Sequence, residues 1–531
     1  MQGLMQDWPL LCHRIIDHAA TQHAERPVVT RSVEGPIHTT NYAEIRTRAL
    51  KLAAESTRWF REAERLADRL ELPPAERAEL AREHALATIG VDSSADNERV
   101  ARRAIELFAA IDDQKGIGWA NARLVIPLMQ QSRHDEAEHA GRTAIETLEP
   151  LGPTPELADA LHRLGWFYWR RGREPEADPL LRRAIDIASQ TDALLVRAEA
   201  TQTLAVCQFS YGTFAEAQRL MEEAFALAKE AGDTTNLLRC YNNLAAVRSA
   251  SYGPAAAADT LSEGLEIALR SGSIGNGAWI AGSLGDLAAL LGRLEEAEDR
   301  QHLSLDLARR VTDGPLIGQR LATLAELVLV RGRPDEAQVH REAAEPALAA
   351  NPEPQAAHFL TWADGFFALA RHDRHAAAEK FAESATLARA HSADTFPETF
   401  TEAVRALERI GAHDRAATFR DLDQSSSSVM SAAHARNVAG LLDPDPARAV
   451  ETLGEAVVEF ERLQMRVAAA RAMVDLAHAM TRAGQDPGEV LDSAREILLD
   501  CDAQLFLFEV DEVVNVPASA PQASGAAAPG G

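Results

Sequence analysis

Lysine is almost absent from this sequence. Its 531 residues contain four lysines, Lys51, Lys115, Lys229 and Lys380, and acidic residues outnumber basic ones by 80 to 54, so the net charge is −26. A chain of this charge is repelled by phosphate backbones and by anionic membrane surfaces. We therefore predict no nucleic-acid partner and no membrane partner.

Aromatic residues, cysteine motifs and long apolar runs are also scarce. Aromatic residues make up 5% of the chain, and the four cysteines show no CxxC spacing. Alanine and leucine dominate the apolar residues, which favours helices over sheets, and no segment approaches the roughly 20 apolar residues of a membrane-spanning helix. These features predict a cytoplasmic, mostly helical protein with reduced cysteines.

A repeat of 40 residues runs through most of the chain. Alanine recurs eight times at this interval, at positions 137, 177, 217, 257, 297, 337, 377 and 417. A leucine stands thirteen residues before each of the first six alanines, at positions 124, 164, 204, 244, 284 and 324. A small residue, in most copies Gly, Ala or Ser, follows the leucine by one position and the alanine by seven. Small residues at these spacings let two helices pack closely, so each unit is predicted to be a helical hairpin.

The turns between the paired helices carry their own signals. Sequences such as RRGREPEA and VRGRPDEA place a glycine at the end of the first helix and an acidic residue in the first turn of the second. Glycine adopts the left-handed conformation that ends helices, and the helix dipole favours an acidic residue at the start. Both signals support the predicted hairpin.

The repeat resembles the tetratricopeptide repeat family. The best match is LHRLGWFYWRRGREPEADPLLRRAIDIA at 161–188, with Leu164, Gly165, Tyr168 and Ala177 at the family positions. The period of 40 exceeds the usual 34 and is similar to that of the repeat arms of bacterial signalling ATPases and nucleotide cyclases. The resemblance implies an all-α, right-handed superhelical solenoid of about ten helix pairs that binds a protein or peptide.

The first 54 residues differ from the repeat. Trp8, Leu11 and Ile15 predict one face of a helix, an extended segment begins near Pro27, SVEGPIHTT predicts a hairpin turn, and Tyr42 opens a second helix. This order is similar to the N-terminus of acyl-CoA synthetases, which are adenylate-forming enzymes. The join to the repeat is placed between about Leu52 and Ser56.

Enzyme motifs are absent from the sequence. The adenylate-forming family binds phosphate with a glycine-rich loop followed by lysine, and a P-loop requires GxxxxGK, but none of the four lysines has such a context. His372 and His375 fall at a predicted inter-helix turn, so a metal pair there is not expected. We predict no catalytic residue, no cofactor and no metal; the alternative is a truncated acyl-CoA synthetase fused to a repeat array.

The candidate binding surface follows from the repeat register. Residues five before, two before, two after and five after each anchor leucine are expected to line a groove on the first helices. Aromatic and mixed charged side chains at these positions suit recognition of a peptide. The predicted groove residues are Asp159, His162, Trp166, Trp169, Glu199, Gln202, Arg239, Asn242, Trp279, Asp286, Gln319 and Glu326. The alternative for Trp166 and Trp169 is that they fill the core between repeats.

The sequence thus predicts four parts. They are an acyl-CoA-synthetase-like segment at 1–54, the repeat array at 55–424, atypical helical repeats at 425–510 and a disordered tail at 511–531. The predicted function is a non-catalytic interaction scaffold or regulatory sensor arm. The identity of the partner and the oligomeric state stay open.

Overall fold

The computed structural model describes residues 27–31, 37–41, 59–87, 94–211, 213–311, 314–349, 354–389, 397–420 and 428–514. Near the N-terminus, β1 (Pro27–Arg31) and β2 (Ile37–Asn41) form an antiparallel hairpin in which Val29 is opposite Thr39. The predicted extended segment is therefore confirmed, and the antiparallel pairing agrees with the predicted reversal of the chain; residues 32–36, where the turn is predicted, lie outside the described residues. The predicted helices before Pro27 and from Tyr42, and the join between Leu52 and Ser56, lie outside the described residues.

The rest of the described chain is helical. Its first half contains α1 (59–69), α2 (Pro74–Ala87), α3 (Ser94–Ala110), α4 (Gln114–Gln130), α5 (His134–Leu148), α6 (Pro155–Arg170), α7 (Glu174–Gln190), α8 (Leu194–Ser210), α9 (Phe214–Ala231), α10 (Thr234–Tyr252) and α11 (Ala258–Ser271). The second half contains α12 (Ile274–Leu290), α13 (Leu294–Val311), α14 (Gly314–Val330), α15 (Pro334–Ala349), α16 (Pro354–Ala370), α17 (Arg374–Arg389), α18 (Pro397–Arg409), α19 (His413–Ala417), α20 (Val429–Leu441), α21 (Pro446–Arg462), α22 (Arg466–Arg482), α23 (Gly488–Asp500) and α24 (Leu507–Val514).

These helices pack as successive pairs, so the predicted all-α repeat fold of the tetratricopeptide type is confirmed. Within the described residues, eight such pairs are in contact: α4/α5, α6/α7, α8/α9, α14/α15, α16/α17, α18/α19, α20/α21 and α22/α23. First helices of neighbouring pairs also touch, as α4 touches α6 and α6 touches α8. None of the helices in these residues is both long and apolar enough to cross a membrane.

Two compact units divide the chain. Unit 1 contains residues 1–248 and 259–280, and unit 2 contains residues 249–258 and 281–531. This division falls inside the predicted repeat array. The predicted boundaries after residues 54 and 424 lie outside the described residues.

The repeat anchors form the core of the helix pairs. The anchor leucines and the first seven anchor alanines are buried, and so are the small residues that accompany them. Contacts at the glycines explain the size limit: a Cβ on Gly165 would lie 2.8 Å from Leu181 Cγ, and one on Gly365 would lie 2.5 Å from Phe381 Cε1. The small residues are therefore required by close packing between paired helices.

The eighth unit departs from the predicted register. Ala417 is exposed, and its neighbour Ala416 is buried instead. The second helix of this unit, α19, has five residues, which is too short to span its partner α18. The prediction that Ala417 anchors a full unit is wrong, because a helix of little more than one turn is not held to the register of the preceding repeats.

Residues at the turns between paired helices adopt the left-handed backbone conformation that the sequence predicts. Gly172, Gly292 and Gly332 have φ between 66° and 80°, and the equivalent positions in two other units hold Ser132 and His372, with φ of 60° and 56°. A glycine adopts this conformation without the clash that a Cβ introduces. His372 therefore belongs to the polar turn, as its place in the repeat predicts.

The C-terminal repeats contain a buried network of charges in unit 2. Asp475 of α22 is buried and accepts hydrogen bonds from Arg405 and Arg409 of α18 and from Asn437 of α20. Arg405 also pairs with Glu402. Three helices are therefore joined at one carboxylate that lies out of contact with water.

The helical region extends further than the sequence predicts. The sequence predicts disorder from residue 511, but α24 continues to Val514. Val510 and Val513 are buried in the same apolar cluster as Phe506, and burial of these side chains stabilises the last helix. The predicted tail is therefore wrong for residues 511–514, and its remainder lies outside the described residues.

Candidate functional site

Two rows of polar side chains lie on the first helices of unit 1. One row holds Asp159, Glu199 and Arg239, each five residues before an anchor leucine, and the other holds His162, Gln202 and Asn242, each two residues before one. These residues belong to α6, α8 and α10. We call this surface the first-helix face.

Three members of the two rows converge on one point. Single ligand atoms of Asp159, His162 and Glu199 all lie within 4.8 Å of one another. Asp159 and His162 are one turn apart on α6, and Glu199 occupies on α8 the repeat position that Asp159 occupies on α6. The stacking of the two helices thus places Glu199 close to two residues that precede it in the sequence by 40 and 37 positions.

Two arginines hold Asp159. The Nε atom of Arg163 lies 3.0 Å from each carboxylate oxygen, and Arg123 of α4 places Nη2 3.2 Å from Oδ2. Burial alone would raise the pKa of Asp159, but the two guanidinium charges outweigh it and hold the pKa well below its usual range. Burial of Arg123 itself lowers the pKa of its guanidinium group to about 10. Asp159 is therefore ionised and its charge is compensated.

Among the described residues, one ring nitrogen of His162 has a hydrogen-bond partner and the other has none. Its Nε2 lies 3.2 Å from the Thr203 hydroxyl, which itself donates to the backbone carbonyl of Glu199 at 2.9 Å. The hydroxyl proton is thus committed, so Nε2 carries the proton of the imidazole and donates it. Nδ1 is then an acceptor; it lies 3.7 Å from Glu199 Oε2 and has no hydrogen-bond partner among the described residues.

The remaining members of the face link α8 to α10. Gln202 is buried and donates to Cys240 Sγ at 3.2 Å, while its Oε1 accepts from none of the described residues. Asn236 donates to Glu199 Oε1 at 3.3 Å and accepts from the exposed Arg239 at 3.3 Å. Asn242 is half-buried. Amide and guanidinium groups therefore continue the polar surface onto α10.

The three predicted tryptophans differ in environment. Trp169 is half-buried against the apolar core of unit 1, and Arg170 lies 5.9 Å from the centre of its ring. Trp166 is half-buried as well, and Trp279 is 43% exposed. Trp169 therefore contributes to the core, while Trp166 and Trp279 keep ring surface accessible to solvent.

In unit 2, the predicted residue Asp286 pairs with the buried Arg320. The Nη1 atom of Arg320 lies 3.2 Å from Asp286 Oδ2 and 3.0 Å from the Gln301 side-chain oxygen. Loss of solvent around Glu326 raises its pKa to about 8, although a hydrogen bond from Trp362 acts in the opposite direction. Gln319 is half-buried on the same helix as Glu326.

Sequence reasoning missed the residues that hold the cluster in place. Arg123, Arg163, Thr203 and Asn236 all bond to Asp159, His162 or Glu199. Arg163 and Thr203 each lie one residue before an anchor leucine, and Arg123 lies one residue before Leu124. That shared position is a signal in the sequence, but the predicted groove register includes only residues two and five positions from the anchor leucine.

Several solved structures resemble the chain at low sequence identity. A Rap protein complexed with Competence and Sporulation Factor is 13% identical, with a TM-score of 0.47 over 70% of this chain and all of that one. The apo form of RapI is 14% identical, with a TM-score of 0.48 over 67% and 97%. A signal-transduction ATPase with a tetratricopeptide repeat sensor from Pyrococcus horikoshii is 14% identical, with a TM-score of 0.37 over 82% and 54%. No curated protein sequence matches the chain.

One family model matches part of the sequence. Residues 120–190 match the tetratricopeptide repeat, a stretch that runs from within α4 to the end of α7 and includes Asp159 and His162. The predicted resemblance of residues 1–54 to acyl-CoA synthetases finds no support in these comparisons. The resemblance of the sequence to the tetratricopeptide repeat is therefore supported within residues 120–190.

Proposed function

We propose that the protein is an interaction or regulatory arm that binds an extended peptide segment of a partner protein on the first-helix face. The observation that carries this proposal is the composition of the face: charged, amide and aromatic side chains lie side by side over α6, α8 and α10. Glu199, Arg239 and Asn242 retain exposed surface there, and so does Trp166, which lies four residues after His162 on α6.

The chemistry of the face suits a peptide backbone. An extended segment presents an N–H donor and a C=O acceptor at each residue. Arg239 and Asn242 offer donors, and Glu199 offers an acceptor. Trp166 supplies an apolar surface that loses little conformational entropy on binding. A ligand that pairs with these groups recovers the hydrogen bonds that they give up when water is displaced.

The test compares two double variants of the full chain. Trp166→Ala with Asn242→Ala alters the first-helix face, and Arg182→Ala with Glu222→Ala alters exposed positions of the second helices α7 and α9 in the same unit. Each purified variant is immobilised, and proteins captured from a lysate of the source organism are quantified by mass spectrometry. We expect at least one protein to be captured by the wild type and by the second-helix variant and to fall at least tenfold with the first-helix variant.

Circular dichroism and thermal melting establish that both variants are folded before capture. If every captured protein binds the two variants equally, the proposed face is not the binding surface. If the loss occurs with the second-helix variant instead, binding belongs to the opposite face of the helix pairs.

A further inference from the structure

We propose that Asp159, His162 and Glu199 form a binding site for a divalent transition-metal ion of the Zn²⁺ class. The three side chains provide one imidazole nitrogen and two carboxylate oxygens, and their ligand atoms lie within 4.8 Å of one another. Borderline metals such as Zn²⁺ take this mixed set, whereas Ca²⁺ and Mg²⁺ prefer oxygen ligands alone.

The free nitrogen of His162 points to a cation. His162 is 9% exposed, and its Nδ1 has no hydrogen-bond partner among the described residues. Nδ1 faces Glu199 Oε2, so two acceptor atoms stand 3.7 Å apart without a hydrogen between them. Two ligands of a tetrahedral Zn²⁺ at about 2.0–2.1 Å lie about 3.4 Å apart, so this spacing needs little adjustment to admit the ion.

Each proposed ligand is also held from outside. The Thr203 hydroxyl accepts from His162 Nε2, Asn236 donates to Glu199 Oε1, and Arg163 donates to both oxygens of Asp159. Hydrogen bonds of this kind orient metal ligands and fix the tautomer of a coordinating histidine. In this arrangement the unprotonated Nδ1 faces the proposed ion.

The nearby arginines limit the strength of the site. The two carboxylates of Asp159 and Glu199 carry two negative charges, and Arg123 and Arg163 carry two positive charges within contact distance of Asp159. The net charge of these four groups is zero, so a cation gains less Coulomb energy here than at a site of uncompensated carboxylates. We therefore expect one ion per chain, bound more weakly than in a closed structural zinc site and removed by chelators.

The test measures metal binding alone, without any peptide or partner. Chelator-treated full-length protein is titrated with Zn²⁺ by calorimetry, and Co²⁺ is used as a spectroscopic probe of the ligand set. We expect one-to-one binding by the wild type and by His139→Ala, which alters a histidine of α5 in the same unit that lies outside the cluster. His162→Ala and Glu199→Gln are expected to lose at least 100-fold in affinity.

Thr203→Val provides an independent measure, because it removes the outer partner of His162 and leaves all three ligands in place. We expect its Zn²⁺ affinity to fall about 10- to 100-fold. Glu199→Gln keeps the shape of the side chain, so the proposal stays testable if His162→Ala does not fold.

Two results would overturn the proposal: no Zn²⁺ or Co²⁺ binding by the wild type, or binding that His162→Ala and Glu199→Gln leave unchanged. Because no partner takes part in the titration, failure here is distinct from failure of the proposed peptide-binding function.

Discussion

Replacement of Asp475 with asparagine should strongly destabilise unit 2. The buried carboxylate accepts from Arg405 Nε at 3.0 and 3.1 Å, from Arg405 Nη2 at 2.8 Å and from Arg409 Nη2 at 3.0 Å. The substituted side chain would keep the volume but remove the charge, and its amide would place a donor against the guanidinium donors. Removal of one partner from a buried ion pair costs about 3–5 kcal/mol.

Hydrogen exchange measured by mass spectrometry would resolve this effect by helix. At 1.4 kcal/mol per factor of ten, the loss corresponds to a rise of about 100- to 4,000-fold in the opening of α18, α20 and α22. The matched control is Asp306→Asn in α13 of the same unit, which removes one partner of an exposed ion pair with Arg309 and should leave exchange unchanged.

The same network predicts a dependence on pH. Burial raises the pKa of Asp475, but Arg405 and Arg409 outweigh it, so the pKa in the folded protein lies below the unfolded value of about 3.9. The stabilisation is therefore complete above that value and is lost as the pH falls through the folded pKa. If D475N is as stable as the wild type at pH 7, the buried pair does not stabilise unit 2 and the reasoning is wrong.

Three further predictions concern packing, turns and a buried histidine. Gly165→Ala should destabilise the protein, because the new Cβ would lie 2.8 Å from Leu181 Cγ. Gly454→Ala meets no atom within 4 Å and should stabilise its helix by about 0.5–1 kcal/mol. Thermal melts of both variants check that the first lowers the melting temperature and the second raises it. Gly172→Ala should cost about 1–2 kcal/mol at its φ of 66°, and a denaturant midpoint equal to the wild type would contradict this. Burial lowers the pKa of His434 to about 3, so the contribution of its neutral form to the free energy of unfolding is complete above the unfolded pKa of about 6.5. That free energy should fall by about 2 kcal/mol between pH 7 and pH 5. His434→Gln should remove this part of the pH dependence in denaturation curves taken at both pH values.

The repeat period allowed much of the fold to be predicted. Leu164 and Ala177 are buried as their positions in the unit require, and Gly172 has the left-handed conformation expected at the turn. These features depend on contacts within one helical hairpin, where helix periodicity and backbone sterics act over a few residues. Ala417 fails because the short helix α19 no longer fixes which residue faces its partner.

The candidate site was predicted less completely. The register placed Asp159, His162 and Glu199 on one face, but it gave no reason to include Arg123 or Thr203. Those two residues act through the angle and spacing at which α4, α6 and α8 stack. A linear pattern indicates which face a side chain lies on but not which neighbour it reaches.

The sequence by itself determined the helical hairpins, their small-residue contacts and the turns, because the 40-residue period places the same residue types at the same helix and turn positions in each unit. Only the tertiary structure decided which charged groups meet. Arg405 and Asp475 are 70 residues apart, a separation that is not a multiple of the repeat, and they pair because α18 and α22 bring both out of water at the same point. Each buried charge has lost its hydration, and an unpaired charge in that position would be strongly unfavourable, so the two groups must pair.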